Sequence, residues 1–403
     1  MILGASCSVA VHQAVAADIE PVAEENSAVL ACTGAGTGFF LIPGTETCLR
    51  IGGQITVRHE VNRARKDLSI ETSYVEEEPT IDYGSVEPEP RPARQTTEAV
   101  LAFTTAAATD LGPLFTHASL KGVSSSGEST LYLDQAYIEL SGLTAGRRQS
   151  FFDYSTGYNF TEGYASDRTT NLVAYTHNLS DKAAIAVSLE DNNERRVDDG
   201  VWALRGAQNL PDLVVSGRVD DDRWGNTQVS VAVQQLSDDR VTECCGPLRS
   251  TIAWAASAGV EFSPVILRHE GRLLLAAAYA DGAMSYLGDS PFVTDYMVDG
   301  DGKIVRTSGF SLLASYEYHW SPKLKSMLTL SGLFARTKGR DLEWKPSGML
   351  ASLGLEYLPV PNLRLGIEGN YYRDIGRARY YRIAGERSTA SLAKLKTYVA
   401  RNF

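Results

Sequence analysis

The sequence predicts an all-β protein, a transmembrane antiparallel β-barrel of sixteen strands, and three observations carry that prediction. Apolar residues recur with period two rather than 3.6 along most of the chain, the mark of strands whose successive side chains point to opposite faces. Connections between these segments alternate between long and short, as in barrels whose two rims differ. No run beyond the N-terminus approaches the roughly 18 apolar residues of a membrane helix; the longest is Leu273 to Ala280.

The first segment is a targeting sequence rather than structure. MILGASCSVAVHQAVAA holds no Asp, Glu, Lys or Arg and carries Ala14-Val15-Ala16, a small-x-small cleavage pattern. Residues 1–16 read as a signal peptide whose missing basic flank fits either a late or a clipped start, and the mature chain is expected to begin near Ala17. Residues 17–47 then form a periplasmic segment leading into a barrel of residues 48–403. Removing the leader takes Cys7 away and leaves Cys32, Cys48, Cys244 and Cys245, a set suited to an oxidising compartment. Three pairings exist. Cys32 with Cys48 is favoured, because they flank a compact Gly- and Pro-containing segment and a ring between the adjacent Cys244 and Cys245 is strained.

Strands are expected to begin near Cys48, Thr96, Gly112, Ser129, Leu143, Asn171, Lys182, Asp212, Asn226, Ser250, Arg272, Ser308, Leu324, Ser347, Asn362 and Thr389. In one of them, FSLLASYEYHW, Phe310, Leu312, Ala314, Tyr316, Tyr318 and Trp320 share one face, while Ser311, Ser315, Glu317 and His319 share the other. Odd-numbered connections are long and polar, such as 62–95, 151–170 and 282–307, the second excepted. Even-numbered ones are brief turns such as Ser321-Pro322-Lys323. A soluble sandwich shares the alternation, but long loops on one rim, short turns on the other and an even strand count fit an outer-membrane barrel with both termini in the periplasm. Tyr318, Trp320 and Tyr357 sit where an interfacial girdle belongs, and the chain ends in Phe403.

Composition removes other classes. There are 38 Lys and Arg against 49 Asp and Glu, a net charge of -11, with no long basic run, which argues against a nucleic-acid partner. The six histidines never fall within five residues of one another, so helical zinc motifs are absent. Asp299-Gly-Asp301-Gly302 resembles part of a calcium loop, yet the positions of the template's first and twelfth ligands hold Met297 and Ser308. Gly34-Ala-Gly36-Thr-Gly38 is too short for a dinucleotide fingerprint, and there is no GxSxG. The expectation is no enzyme, no metal and no cofactor. The acidic, Pro-broken stretch from Glu71 to Glu98 reads as a solvated surface loop, with divalent-cation bridging to lipopolysaccharide as the functional alternative.

At GFFLIPGTETCLRIGG, Gly38 to Gly53, the chain resembles the alphaproteobacterial trimeric outer-membrane porin family, whose barrels open with a similar run between two cysteines. Collinear matches follow in LDQAYIEL (Leu133 to Leu140), AGRRQSFFDY (Ala145 to Tyr154), TTNLVAYT (Thr169 to Thr176), PDLVVSGRVDDDRWG (Pro211 to Gly225), LAAAYADGAMSYL (Leu275 to Leu287) and the closing ARNF. The resemblance implies a homotrimeric, water-filled diffusion channel for small hydrophilic solutes in the bacterial outer membrane, narrowed by a third long loop that folds inward. It also implies a C-terminal Phe403 that the assembly machinery reads, and contact with outer-membrane lipid and lipopolysaccharide.

Parity sorts the charges, because Arg or Lys facing lipid at the midplane costs about 2–4 kcal/mol. With Leu49, Ile51, Ile55 and Val57 toward lipid, Arg50, Gln54, Arg58 and Glu60 face the lumen, as do Lys121, Glu139, Glu190, Arg218, Glu317, Glu356, Arg364 and Glu368. Near Gly146 one of Arg147 and Arg148 points inward. The expected constriction therefore sets Asp153, Glu162 and Asp167 of the third loop against a wall of Arg50, Arg58, Lys121 and Arg147. The rival function is a β-barrel adhesin or surface binding protein using the acidic extracellular loops.

Overall fold

The computed structural model describes residues 32, 36–70, 93–195, 210–221, 225–238, 249–266, 269–288, 293–298, 303–340, 342–380 and 385–403. The expected signal peptide, Cys244, Cys245 and most of the acidic stretch, with Glu77 and Glu78, lie outside them. The first half of the sheet comprises β1 (Cys48–Ile70), β2 (Ala93–Thr109), β3 (Gly112–Ser125), β4 (Glu128–Leu140), β5 (Leu143–Gln149), β6 (Thr169–Ser180), β7 (Ala183–Glu190) and β8 (Asp212–Asp221). The second comprises β9 (Gly225–Asp238), β10 (Arg249–Phe262), β11 (His269–Asp281), β12 (Ile304–Ser321), β13 (Leu324–Lys338), β14 (Ser347–Tyr357), β15 (Leu363–Tyr380) and β16 (Gly385–Asn402). Each pairs antiparallel with the next, and β1 pairs with β16 from Gln54↔Asn402 to Ile70↔Glu386, so the sixteen strands close without an edge.

Every strand begins within four residues of its expected start. The strands run further than expected on the long-loop rim: β1 continues to Ile70 and β15 to Tyr380, where loops were expected from Asn62 and Asp374. Ladder pairing such as Arg63↔Ala393 and Asp67↔Thr389 carries them on, because hydrogen bonding between strands needs no apolar face. On the other rim the joints are tight. Ser141 and Gly142 take φ of 49° and 90°, both left-handed as a two-residue hairpin requires, and a Cβ on Gly142 would sit 2.5 Å from the Thr176 carbonyl oxygen. Ser126 and Gly127, φ 55° and 87°, make the same turn at the short second connection on the long-loop rim. A disulfide joins Cys32 to Cys48 and staples the leading segment to the start of β1.

The barrel is apolar outside and polar inside. Phe310, Leu312, Leu328, Leu330, Leu353 and Leu355 are exposed on the outer face, while Ser311, Ser315, Glu317, Thr329, Ser352 and Glu356 are buried within. Near the turn rim Tyr318 packs edge-on against Trp320 at 4.7 Å, with Trp320 and Tyr357 exposed, as an interfacial girdle requires. At the barrel seam the Phe403 N–H donates to the Gly53 carbonyl at 3.1 Å and the Gly53 N–H returns to Phe403 at 3.0 Å. The Phe403 ring lies over Gly53, where a Cβ would approach it to 2.6 Å.

The lumen is not polar throughout. A short 3₁₀ turn, Met284–Leu287 in the sixth long loop, folds inward with Tyr286 and Leu287 fully buried. With Phe152 and Tyr164 of the third loop it packs on inward-facing Val214, Ala232, Ala253, Ala255, Ala280 and Leu333. Small alanines on this wall leave room for the loops. The sequence signal was the run from Leu273 to Ala280, where alternation fails because both faces of β11 meet apolar partners: lipid outside, loops within.

Candidate channel constriction

The third loop spans residues 150–168 between β5 and β6 and crosses to the opposite wall. Its two ends are clasped: Ser150 N–H donates to the Arg168 carbonyl at 2.8 Å, and Arg168 N–H donates to Asp153 Oδ2 at 2.6 Å. At its far end Phe160 N–H and Thr161 N–H donate to the two carboxylate oxygens of Glu368 on β15, at 2.7 and 3.0 Å. Tyr158 N–H reaches Ser315 Oγ on β12 at 3.0 Å, Tyr164 N–H reaches Ser331 Oγ on β13 at 2.8 Å, and Lys396 Nζ on β16 donates to Thr161 Oγ1 at 2.7 Å. Inside a barrel these backbone groups have no sheet ladder, so wall side chains replace it. Glycine permits the close approach: a Cβ on Gly259 of β10 would lie 2.2 Å from the Tyr154 ring.

On the loop's open side Glu162 and Asp167 are exposed into a cavity of about 410 Å³, lined also by Glu60, Asp374, Arg58, Arg168, Lys396, Phe160 and Tyr372. Arg58 bonds Glu98 at 2.9 Å, pairs with Glu60 at 3.3 Å and stacks over Phe160 at 4.9 Å. Lys121 extends this cluster by pairing with Glu98 at 3.5 Å. Arg50 stands nearer the periplasmic mouth, its guanidinium 4.9 Å from the Phe39 ring. Asp167 accepts from Gln149 Nε2 at 3.1 Å.

Two expected site residues take other places. Asp153 belongs to the loop, but its side chain is buried at the root beside Arg195, 3.5 Å away, instead of facing the channel. Burial raises its pKa to about 6 although Arg195, the Arg168 N–H and the Ser166 hydroxyl pull the other way. Arg147 shares register with Ala136 and Asn171, on the outward-facing set, and pairs with Glu194. Its neighbour Arg148, opposite the buried Thr170, is the inward one: it pairs with Glu139 and stacks on Tyr137 and Phe151 at 4.8 and 4.9 Å. Parity reading missed Lys396 and Arg195. Lys396 was legible, since Leu395, Thr397 and Val399 alternate with it; Arg195 lies in a loop, where periodicity carries no signal.

Three expected lumen charges, Glu317, Glu356 and Arg364, join Glu261, Arg272 and Lys325, which the parity reading did not name, in a belt. One residue per strand, Glu261, Arg272, Glu317, Lys325, Glu356 and Arg364 run from β10 to β15 with alternating sign, at successive separations of 3.7, 3.0, 2.9, 3.0 and 3.8 Å.

A closed sixteen-stranded barrel, apolar outside and lined inside by charge, narrowed by a loop folded into its lumen, defines an outer-membrane channel. The family profile described as the porin subfamily matches residues 14–399, and the chain belongs to that family. It is a porin, an outer-membrane channel for passive diffusion. Its similarity extends to porin Omp2b of Brucella neotomae, 27% identical over 345 residues that cover 79% of this chain and 84% of the relative. A putative outer membrane protein, y4fJ, of Sinorhizobium fredii is 30% identical over 184 residues, 44% of this chain and 50% of the relative. The crystal structure of the outer membrane channel DcaP of Acinetobacter baumannii shares the fold, with a TM-score of 0.62 at 16% identity, covering 89% of this chain and 97% of that one.

Proposed function

We propose that Glu162 and Asp167 of the third loop, facing Arg58 and Lys396 of the wall, form the selective constriction of this porin, and that three copies assemble into the working unit. The carrying observation is the loop fastened across the lumen with its two exposed carboxylates toward a basic wall. Opposed charges across a narrow, low-dielectric passage set up a transverse field that orients small hydrophilic, dipolar solutes and disfavours apolar ones. Passage is downhill and uses no catalytic step, metal or cofactor. Lys121 and Arg50 extend the basic wall toward the periplasm.

The trimer is supported by the family resemblance and by the outer face of β2 to β4, where Ala99, Thr105, Thr116, Ala118 and Ala136 are small and suit contact with a second copy. Phe403, exposed over Gly53 at the periplasmic end, suits an assembly signal that afterwards lies at the lipid interface near lipopolysaccharide-bearing membrane. Residues 1–16 serve as the export signal. Purified protein in a planar bilayer tests the reading: insertion events that close in three equal conductance steps are expected, and a silent or single-step protein would refute the trimeric channel.

A further inference from the structure

We propose that Arg195, carried on the fourth long loop, is the positioning residue of the constriction: it ties the root of the third loop to the fourth and sixth loops, and breaking it lets the third loop move in the channel. This rests on the third loop being the constriction. Arg195 is 1% exposed, at the centre of a cage that draws on five parts of the chain. One terminal nitrogen donates to Ser166 Oγ at 2.9 Å, and the other lies 3.4 Å from Glu190 and 3.5 Å from Asp153. Its guanidinium carbon stands 4.0 Å from the centre of the Tyr286 ring in the sixth loop, and the Tyr286 hydroxyl donates to Asp212 Oδ2 on β8 at 2.8 Å. Glu190 closes the circuit by accepting Phe151 N–H at 3.1 Å. Both ends of the third loop, Phe151 with Asp153 and Ser166, thus converge on one guanidinium. The same turn, Asn192–Arg195, is held from its other side by the pair between Glu194 and Arg147 of β5.

Planarity suits Arg195 to this place, since one face stacks on a ring while the edge serves hydrogen-bond acceptors on several elements. Among the described residues, three carboxylates, Asp153, Glu190 and Asp212, surround this single cation, with Tyr286 beside them. Buried like charges disfavour full ionisation, so the cage responds to protons. Asp153, with a pKa raised to about 6, has Arg195, Ser166, the Arg168 N–H and Asp167 about it. The Tyr286 hydroxyl is pushed well above its ordinary value, mainly by burial, and remains a donor. A carboxyl whose pKa is higher docked than free stabilises the docked state fully below its ordinary value near 3.8 and loses that contribution as pH rises through about 6. The third loop is therefore held more firmly at pH 5 than at pH 7.

Single-channel recordings of the full-length protein, wild type against Arg195→Gln and Arg195→Lys, between pH 5 and 8, test this. Wild type should become quieter on acidification. Arg195→Gln should show excess open-channel noise and changed conductance at pH 7, with its quietening displaced upward by about one pH unit or more, as expected when a carboxyl loses a cationic neighbour. Arg195→Lys keeps the charge but not the planar fork, so its pH response should stay near wild type while its noise is intermediate. Should Arg195→Gln fail to assemble, the double variant Asp153→Asn with Arg195→Gln, which removes a buried carboxylate together with the cation, must carry the same excess noise. Wild-type noise and pH response in whichever of these assembles overturns the proposal. In parallel, Glu162→Gln, which leaves the groups around Asp153 in place, reports on the constriction: a shifted reversal potential beside a silent Arg195→Gln rejects only the positioning role, and no shift rejects the constriction reading.

Discussion

The two walls of this channel use charge in opposite ways. From β10 to β15 the wall carries one charge per strand in alternating sign, each within 3.8 Å of the next, and the third loop is laid against that wall. Tyr158 of the loop stacks on Arg272 at 4.5 Å, and Tyr398 donates to Glu356 at 2.8 Å. Beside the loop's far end, the gap between loop and wall is lined by Glu162, Asp167, Arg58 and Lys396, with Arg58 paired to Glu98 at 2.9 Å and Lys396 donating to Thr161 of the loop at 2.7 Å. Charges that alternate in sign at contact distance largely cancel a few ångströms away, whereas four carboxylates against three cations around the gap leave a net negative charge that a passing ion feels. In the proposed reading the belt holds the barrel and its loop, and the gap selects. Neutralising a belt residue should therefore change stability and leave selectivity alone, and neutralising the exposed Glu162 or Asp167 should shift selectivity more than stability.

The largest effect is expected where loop and wall meet. Glu368 accepts two loop N–H groups at 2.7 and 3.0 Å, and hydrogen bonds to a charged group contribute about 1.5–3 kcal/mol each. Glu368→Leu removes both acceptors while leaving the β14–β15–β16 ladder intact. The barrel should still assemble and remain heat-modifiable, with a larger and noisier single-channel conductance. Unchanged conductance would show that the loop is held elsewhere, and the contrast between the two walls would lose its structural basis.

A belt substitution sharpens the same contrast. Glu317 accepts from Arg272 at 3.0 Å, Lys325 at 2.9 Å and His319 at 2.8 Å. Glu317→Gln leaves a shape of nearly equal size but removes the charge between two cations, a loss of about 1.5–3 kcal/mol at most, because Arg272 and Lys325 reach water. The temperature at which folded protein converts to the unfolded electrophoretic form should fall, and reversal potential should stay within error of wild type. A selectivity shift as large as that of a gap variant would erase the distinction.

How much of this was legible depends on which force placed each residue. Strand starts and inward charges such as Glu317, Glu356 and Glu368 followed from alternation, because lipid outside and water inside impose opposite preferences on successive residues. Arg147 and Arg148 were not separable, since Gly146 adopts φ of 130° and a seven-residue β5 offers too few alternations to fix parity. Asp153 reads as a lumen charge in one dimension; only the return of the chain at Ser166 and Arg168, and the arrival of Arg195 from another loop, bury it. The inward sixth loop left its trace only where β11 loses alternation. Loop-to-loop contacts have no period, so they stay hidden from pattern reading.

The smallest effect concerns the ions themselves. Four carboxylates, Glu60, Glu162, Asp167 and Asp374, line the constriction cavity against three cations, Arg58, Arg168 and Lys396, so a modest preference for cations is expected. Whole-chain charge of -11 points the same way but is the weaker argument, since the field at the passage depends on the charges nearest it. Replacing Glu162 and Asp167 by Gln and Asn should move the reversal potential in a dilute KCl gradient toward anions, and by more than replacing Glu77 and Glu78 of the first long loop. Salt separates near from far: the Debye length is about 10 Å at 0.1 M and about 3 Å at 1 M, so the contribution of any charge more than a few ångströms from the ion's path should vanish first as salt rises. The effect of Glu162 and Asp167 should persist longer, because an ion crossing the constriction comes within a few ångströms of them. Equal shifts from the two pairs at every salt concentration would reject the placement of selectivity at the third loop, and anion preference in the wild-type channel would reject the charge argument itself.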